Sequence, residues 1–91
     1  MKFVYPAILS KTEHGYHVRF PDLTGCEADG ETEFDALRAA QDAMYNWIEL
    51  ELSEEEPELP VISDPEEIVL SENEEVRNIM ITWRFHTGYD E

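Results

Sequence analysis

The stretch from Thr32 to Leu52 constrains the fold most, because its apolar residues recur at intervals of three and four, as on one face of a helix. The residues of this stripe are Leu37, Ala40, Met44, Trp47, Ile48 and Leu52. Thr32 is the predicted N-cap, with Asp35 completing an approximate capping box, and Pro57 requires the helix to end before it, near Leu52. Alanines along the same stretch permit close packing, so the helix is expected to cover a sheet.

Three segments before this helix and one after it have the patterns of strands. In residues 2–9 both alternating sets are apolar, which predicts a strand buried on both faces, with Pro6 at an edge or bulge position. Residues 16–20 alternate apolar with polar, residues 26–30 form a short third strand, and residues 76–85 form a last strand. The order β-β-β-α-β predicts an α+β fold: three antiparallel strands, a long helix and a final strand.

The turn between the second and third strands has the sequence FPDLTGC, from Phe20 to Cys26. Pro21 fixes its own φ and offers no N–H to a ladder, and the Asp22 side chain can bond its own backbone. Gly25 tolerates the positive φ that closes such loops. Turn chemistry alone therefore explains most of this motif.

Negative charge is the strongest compositional signal. Twenty-two acidic residues face six Lys and Arg, which gives a net charge of −16, and residues 53–75 hold ten of the acids and no base. Such a surface repels phosphate backbones and anionic lipids, so we expect no membrane partner, and a basic protein is its natural complement. The alternative is that the charge simply keeps a small protein in solution.

Residues 54–75, here called the acidic connection, are interrupted by Pro57, Pro60 and Pro65. Asp64 and Pro65 are a suitable start for a short helix. With 91 residues, we expect one domain over residues 1–91, with a frayed tail at 86–91. The sequence has no apolar run as long as a membrane span and no signal-peptide pattern, and one cysteine permits no internal disulfide. These features predict a cytoplasmic protein.

Catalytic motifs are scarce, so we predict no enzyme. The three histidines and Cys26 lack the spacing of a metal site, and no glycine-rich phosphate loop is present, so no metal or cofactor is expected. Cys26 could serve as a nucleophile, but a lone cysteine at the start of a strand is more often a small buried hydrophobe.

Several short motifs occur together in order: YPA at residues 5–7, GYHVRFPDLTGC at 15–26 and GETEFDAL at 30–37. In this combination the first 55 or so residues resemble the N-terminal domain of HicB-type antitoxins. The resemblance implies a partial ribonuclease-H-like fold without catalysis. It also implies a partner, a small basic HicA-type toxin that cleaves mRNA with a histidine, which the antitoxin masks.

Many members of that family carry a C-terminal DNA-binding domain, whereas here no Lys or Arg follows Arg84. We therefore expect no direct DNA binding by this chain, whether it is a short member or part of a longer protein. Three alternatives stay open. The chain could mimic a nucleic acid and inhibit a DNA-binding or restriction protein, it could be a repurposed HicB-like interaction module, or it could be a residual metal-dependent hydrolase.

Two surfaces are predicted. The partner-binding surface comprises acids and one apolar residue, chiefly of the acidic connection: Asp22, Asp29, Glu54, Glu55, Glu56, Glu58, Leu59, Glu66 and Glu67. Val61 and Ile62 are further candidates for apolar anchors, and a solvated loop is the alternative for the whole segment. A homo-oligomer interface is predicted on the last strand at Ile79, Met80, Ile81, Trp83 and Phe85. The alternative is that the helix alone covers this strand.

Overall fold

The computed structural model describes residues 1–84, which form a four-stranded antiparallel sheet with one long helix on one face. The strands are β1 (Lys2–Thr12), β2 (Gly15–Arg19), β3 (Glu27–Gly30) and β4 (Glu74–Thr82), and the helix is α1 (Glu33–Leu52). The strand order across the sheet is β3-β2-β1-β4. The predicted α+β fold is confirmed. The predicted tail at 86–91 lies outside the described residues.

Strand β1 is the centre of the sheet and pairs with both β2 and β4. Its residues from Tyr5 to Ser10 are all buried, as the apolar pattern on both faces predicts. The pairing with β2 begins only at Ile8, so Pro6 lies where β1 pairs with β4 alone. On the β2 side Pro6 therefore occupies a local edge position, where its missing N–H breaks no ladder between two strands.

Helix α1 begins and ends where the sequence predicts. The Thr32 hydroxyl accepts a hydrogen bond from the backbone N–H of Asp35 at 3.1 Å, and Ser53 is the C-cap. Ala40, Met44 and Ile48 of the predicted stripe are buried, and Ala36 is buried with them. Leu37 is only partly buried, because the alanines let the helix lie closest to the sheet along the line that they define.

The stripe of α1 should contribute strongly to stability. We expect Met44→Ala to lower the free energy of unfolding by about 2–3 kcal/mol, because the fully buried side chain leaves a cavity. Leu50 lies on the same helix but is 70% exposed, so Leu50→Ala should cost at most about 0.5 kcal/mol. Urea unfolding of the two variants measures the difference, and equal losses would show that the stripe is not core.

Strand β4 starts at Glu74 rather than at Val76, so the last two residues of the acidic connection belong to the sheet. Ile79 pairs with Tyr5 and Ile81 with Phe3, which places both side chains on the helix side. Ile79, Ile81 and Trp83 are consequently buried in the core of the chain itself. Met80 lies on the opposite face and is 46% exposed, and Phe85 lies outside the described residues.

The junction between β3 and α1 is unusually close. A Cβ placed on Gly30 would lie 2.3 Å from the backbone nitrogen of Ala36 and 2.7 Å from its Cα. Glycine at position 30 therefore sets the distance between the third strand and the first turn of the helix.

Candidate partner-binding surface

The turn FPDLTGC packs into the core and is hydrogen-bonded to α1. Phe20, Leu23 and Cys26 are buried in the core, and the Cys26 N–H donates to the Leu23 carbonyl at 2.9 Å. Gly25 adopts a φ of 79°, as the turn chemistry predicts. The Trp47 indole N–H donates to the Thr24 carbonyl at 3.0 Å and so ties the turn to α1.

Asp22 of this turn bonds a distant segment rather than its own backbone. Its Oδ2 accepts from the backbone N–H of Ser63 at 2.8 Å, and its Oδ1 accepts from the Ser63 hydroxyl. Both carboxylate oxygens are thus engaged within the chain. Asp22 was predicted to contact a partner, and the structure gives it a role in fixing the acidic connection.

Further hydrogen bonds hold the acidic connection at other points. The Tyr5 hydroxyl donates to the Pro60 carbonyl at 2.6 Å. Near β4, the Lys11 N–H donates to the Asn73 carbonyl at 3.2 Å, and the Asn73 side-chain amide donates to the Lys11 carbonyl at 3.0 Å. The connection is therefore attached to the sheet at residues 60, 63 and 73 and is not a freely solvated loop.

Two further features accompany these attachments. Burial, and then the negative charge of Asp22, raises the pKa of Tyr5 above its ordinary value, so the phenol keeps the proton that it donates to Pro60. The predicted short helix exists as one 3-10 turn, Pro65–Glu67, in which Asp64 accepts from the Glu66 N–H at 3.0 Å. The path of the connection is thus defined on both sides of Ser63.

All six glutamates of the predicted partner-binding surface are exposed: Glu54, Glu55, Glu56, Glu58, Glu66 and Glu67. Within residues 1–84 none of them forms an ion pair. Leu59 is partly buried and packs against the core. The six glutamates therefore lie on one exposed segment, which Leu59 connects to the core. Their role in binding stays a prediction.

Asp29 lies apart from this segment, on the face of the sheet away from α1. Its carboxylate contacts His17 Nδ1 at 2.7 Å, and Glu27 contacts His17 Nε2 at 3.1 Å. The same face carries the ion pair between Arg19 and Glu74 at 2.8 Å. The Ser71 N–H and then Arg19 hold the pKa of Glu74 below its ordinary value. Asp29 is thus engaged in a contact with His17 of the neighbouring strand.

Cys26 has the environment of a core residue. Burial, and then the nearby Glu27 carboxylate, raises the pKa of its thiol to about 11. We expect the native protein to react with a thiol reagent at pH 8 at least about tenfold more slowly than the urea-unfolded chain, because the thiolate is the reactive form. Equal rates would support the alternative of an accessible nucleophile.

Sequence reasoning missed the residues that fix the connection. Tyr5 was predicted only as one of the buried residues of β1, and neither Ser63 nor Asn73 was singled out. Their partners lie 55, 41 and 62 residues away along the chain. A local pattern carries no signal for contacts of that separation.

No cluster suited to a metal ion occurs among residues 1–84. Within the same residues, no helix is both long and apolar enough to cross a bilayer. The features that stand out in the described chain are therefore the exposed carboxylates and the contacts that position them.

Known proteins resemble this chain in sequence and in fold. A family model described as HicB-like antitoxin of bacterial toxin-antitoxin system matches residues 5–84. A chain in a structure of the HicA3 and HicB3 toxin-antitoxin complex is 29% identical, with a TM-score of 0.66, over 84% of this chain and 94% of that one. No curated protein matches significantly.

Two further structures are similar. The crystal structure of antitoxin HicB3 is 26% identical, with a TM-score of 0.70, over 93% of this chain and 72% of that one. A toxin-antitoxin complex from Streptococcus pneumoniae gives a TM-score of 0.74 over 90% of this chain and 70% of that one. Its identity of 23% supports a shared fold alone.

Proposed function

This chain belongs to the HicB-like antitoxins of bacterial toxin-antitoxin systems, and we propose that it binds and inhibits a HicA-type toxin. The observation that carries the proposal is the family match over residues 5–84, supported by the likeness to the HicA3–HicB3 complex. The chain would act by binding, without catalysis of its own.

Charge supports the kind of partner. The toxin that we propose is a small basic ribonuclease, and its RNA-binding face would be positively charged. The six exposed glutamates of the predicted partner-binding surface form no ion pair within residues 1–84, so they are available to such a face. Contact there would steer the encounter and place the antitoxin over the surface that RNA needs.

Co-expression tests this function. The reading frame adjacent to the gene should encode a short basic protein with one essential histidine. Expression of that protein alone should arrest growth of the host cell, and expression together with this chain should restore it. Growth arrest that persists despite soluble expression of both proteins would contradict an antitoxin role.

We also propose that the chain self-associates through the open edge of β4, in the cytoplasm where its partner would act. The edge carries Met80, and its cross-strand neighbour Val4 is 38% exposed. The Gln41 side-chain amide donates to the Met80 carbonyl at 3.0 Å, so a second copy would pair with the other backbone groups of the β4 edge.

Light scattering at about 100 µM should give a dimer or larger species. Met80→Lys should shift it toward the monomer, because a charge at the edge disfavours pairing. A monomeric wild type at that concentration would contradict this proposal, and leave toxin binding untouched.

A further inference from the structure

Two neighbouring apolar side chains of the acidic connection are exposed: Val61 is 87% exposed and Ile62 is 56% exposed. Scattered apolar residues on a surface are ordinary. These two differ because the residues on either side of them are fixed. Pro60 is bonded by the Tyr5 hydroxyl, and Ser63 is bonded twice by Asp22.

The fixed flanks limit the backbone freedom of the segment between them. Leu59, directly before it, packs against the core, and the ring of Pro60 restricts its own φ. A segment that is already ordered loses less conformational entropy when a partner covers it. Residues 60–63 therefore hold Val61 and Ile62 outward in a defined position.

The charge around the pair decides what can cover it. Glu58, Asp64, Glu66 and Glu67 lie within five residues of Val61 or Ile62 in sequence and are exposed, and residues 53–75 contain no Lys or Arg. This rim repels nucleic acid and anionic lipid and attracts a positively charged protein. An apolar centre within a polar rim is also the usual arrangement of a protein–protein contact.

We propose that Val61 and Ile62 form a preorganised apolar anchor, which inserts into an apolar depression on the basic face of the toxin. The proposal rests on the proposed function and specifies its contact. Asp22 acts in it as a positioning residue, through Ser63. The aspartate of the FPDL motif thereby links the turn between β2 and β3 to the toxin-binding segment.

Binding to the HicA-type toxin of the adjacent reading frame, with its catalytic histidine replaced by alanine, tests the anchor. The double variant Val61→Ser/Ile62→Ser should raise Kd at least about tenfold, mainly through faster dissociation. Val69→Ser is the matched control, because Val69 is 90% exposed in the same connection but lies outside the fixed segment. Its Kd should change less than about twofold.

Two substitutions at Ser63 test the positioning role. Ser63→Ala removes the hydroxyl that Asp22 binds and should raise Kd about threefold to tenfold, because fewer molecules present the anchor correctly. Ser63→Thr keeps the hydroxyl and should bind like the wild type. Melting temperatures measured alongside should differ by no more than a few degrees, which separates loss of the anchor from unfolding.

Each result tests a different part of the proposal. A double variant that binds like the wild type would overturn the anchor, while wild-type binding would still uphold the proposed function. A Ser63→Ala variant with unchanged Kd would overturn the positioning role of the hydrogen bond between the Ser63 hydroxyl and Asp22. Failure of the wild type itself to bind the toxin would overturn the proposed function.

Discussion

Gly30→Ala is expected to lower the free energy of unfolding by at least about 4 kcal/mol, enough to unfold much of a small domain. The added Cβ would lie 2.3 Å from the Ala36 nitrogen, and its three nearest neighbours are all backbone atoms of Asp35 and Ala36. Because no side chain can rotate away, either β3 or the first turn of α1 must move. Circular dichroism during urea unfolding measures the loss.

Gly25→Ala is the control for this prediction. Gly25 has a φ of 79°, but a Cβ there would meet no atom within 4 Å. The expected cost is about 1–2 kcal/mol, from backbone conformation alone. Equal losses at positions 25 and 30 would mean that the close approach of helix and strand does not limit stability.

Reversing Glu54, Glu55 and Glu56 to Lys should slow association with the toxin by about tenfold or more at low salt. These exposed carboxylates form no ion pair within residues 1–84, so their charge acts on an approaching partner without internal competition. The dependence of the rate on ionic strength should weaken too, because fewer charges steer the encounter. Stopped-flow association across a salt series measures both.

The control reverses three exposed acids elsewhere: Glu13, Glu31 and Asp42. It changes the net charge by the same amount, so a purely global effect would slow association equally. Local steering predicts a much smaller change at the physiological end of the salt series, where charges beyond about 8 Å from the contact are screened. Equal slowing by the two triple variants would locate the effect in net charge rather than in the connection.

The elements predicted from local pattern are confirmed because their causes are local. The cap at Thr32 needs residues three apart, and the period of the stripe reports the helix whatever covers it. The prediction included Ala40, Met44 and Ile48 but placed Leu37 rather than Ala36 at the centre of the contact. The short Ala36 and Ala40, rather than the larger Leu37, set the closest approach to the sheet, and only the packed structure shows this.

The surfaces were harder to predict because they depend on pairing across the chain. From the sequence, the apolar face of β4 was predicted to be more than one helix could cover. Its register with β1 instead places Ile79 and Ile81 on the face of the sheet that α1 covers, where both are buried. Likewise the acidic connection looked like a linker. Its bonds from Tyr5, Asp22 and Lys11 join residues far apart in sequence, so composition described its charge but not its fixed path.

Titration of an RNA-cleavage assay tests the central claim most directly. The toxin from the adjacent reading frame is held at a fixed concentration with a labelled mRNA, and this chain is added in increasing amounts. The account predicts that cleavage falls to background at a defined stoichiometric ratio, and that the reversal of Glu54, Glu55 and Glu56 requires more protein to reach it. Undiminished cleavage with a several-fold excess of the folded wild-type chain would contradict the account.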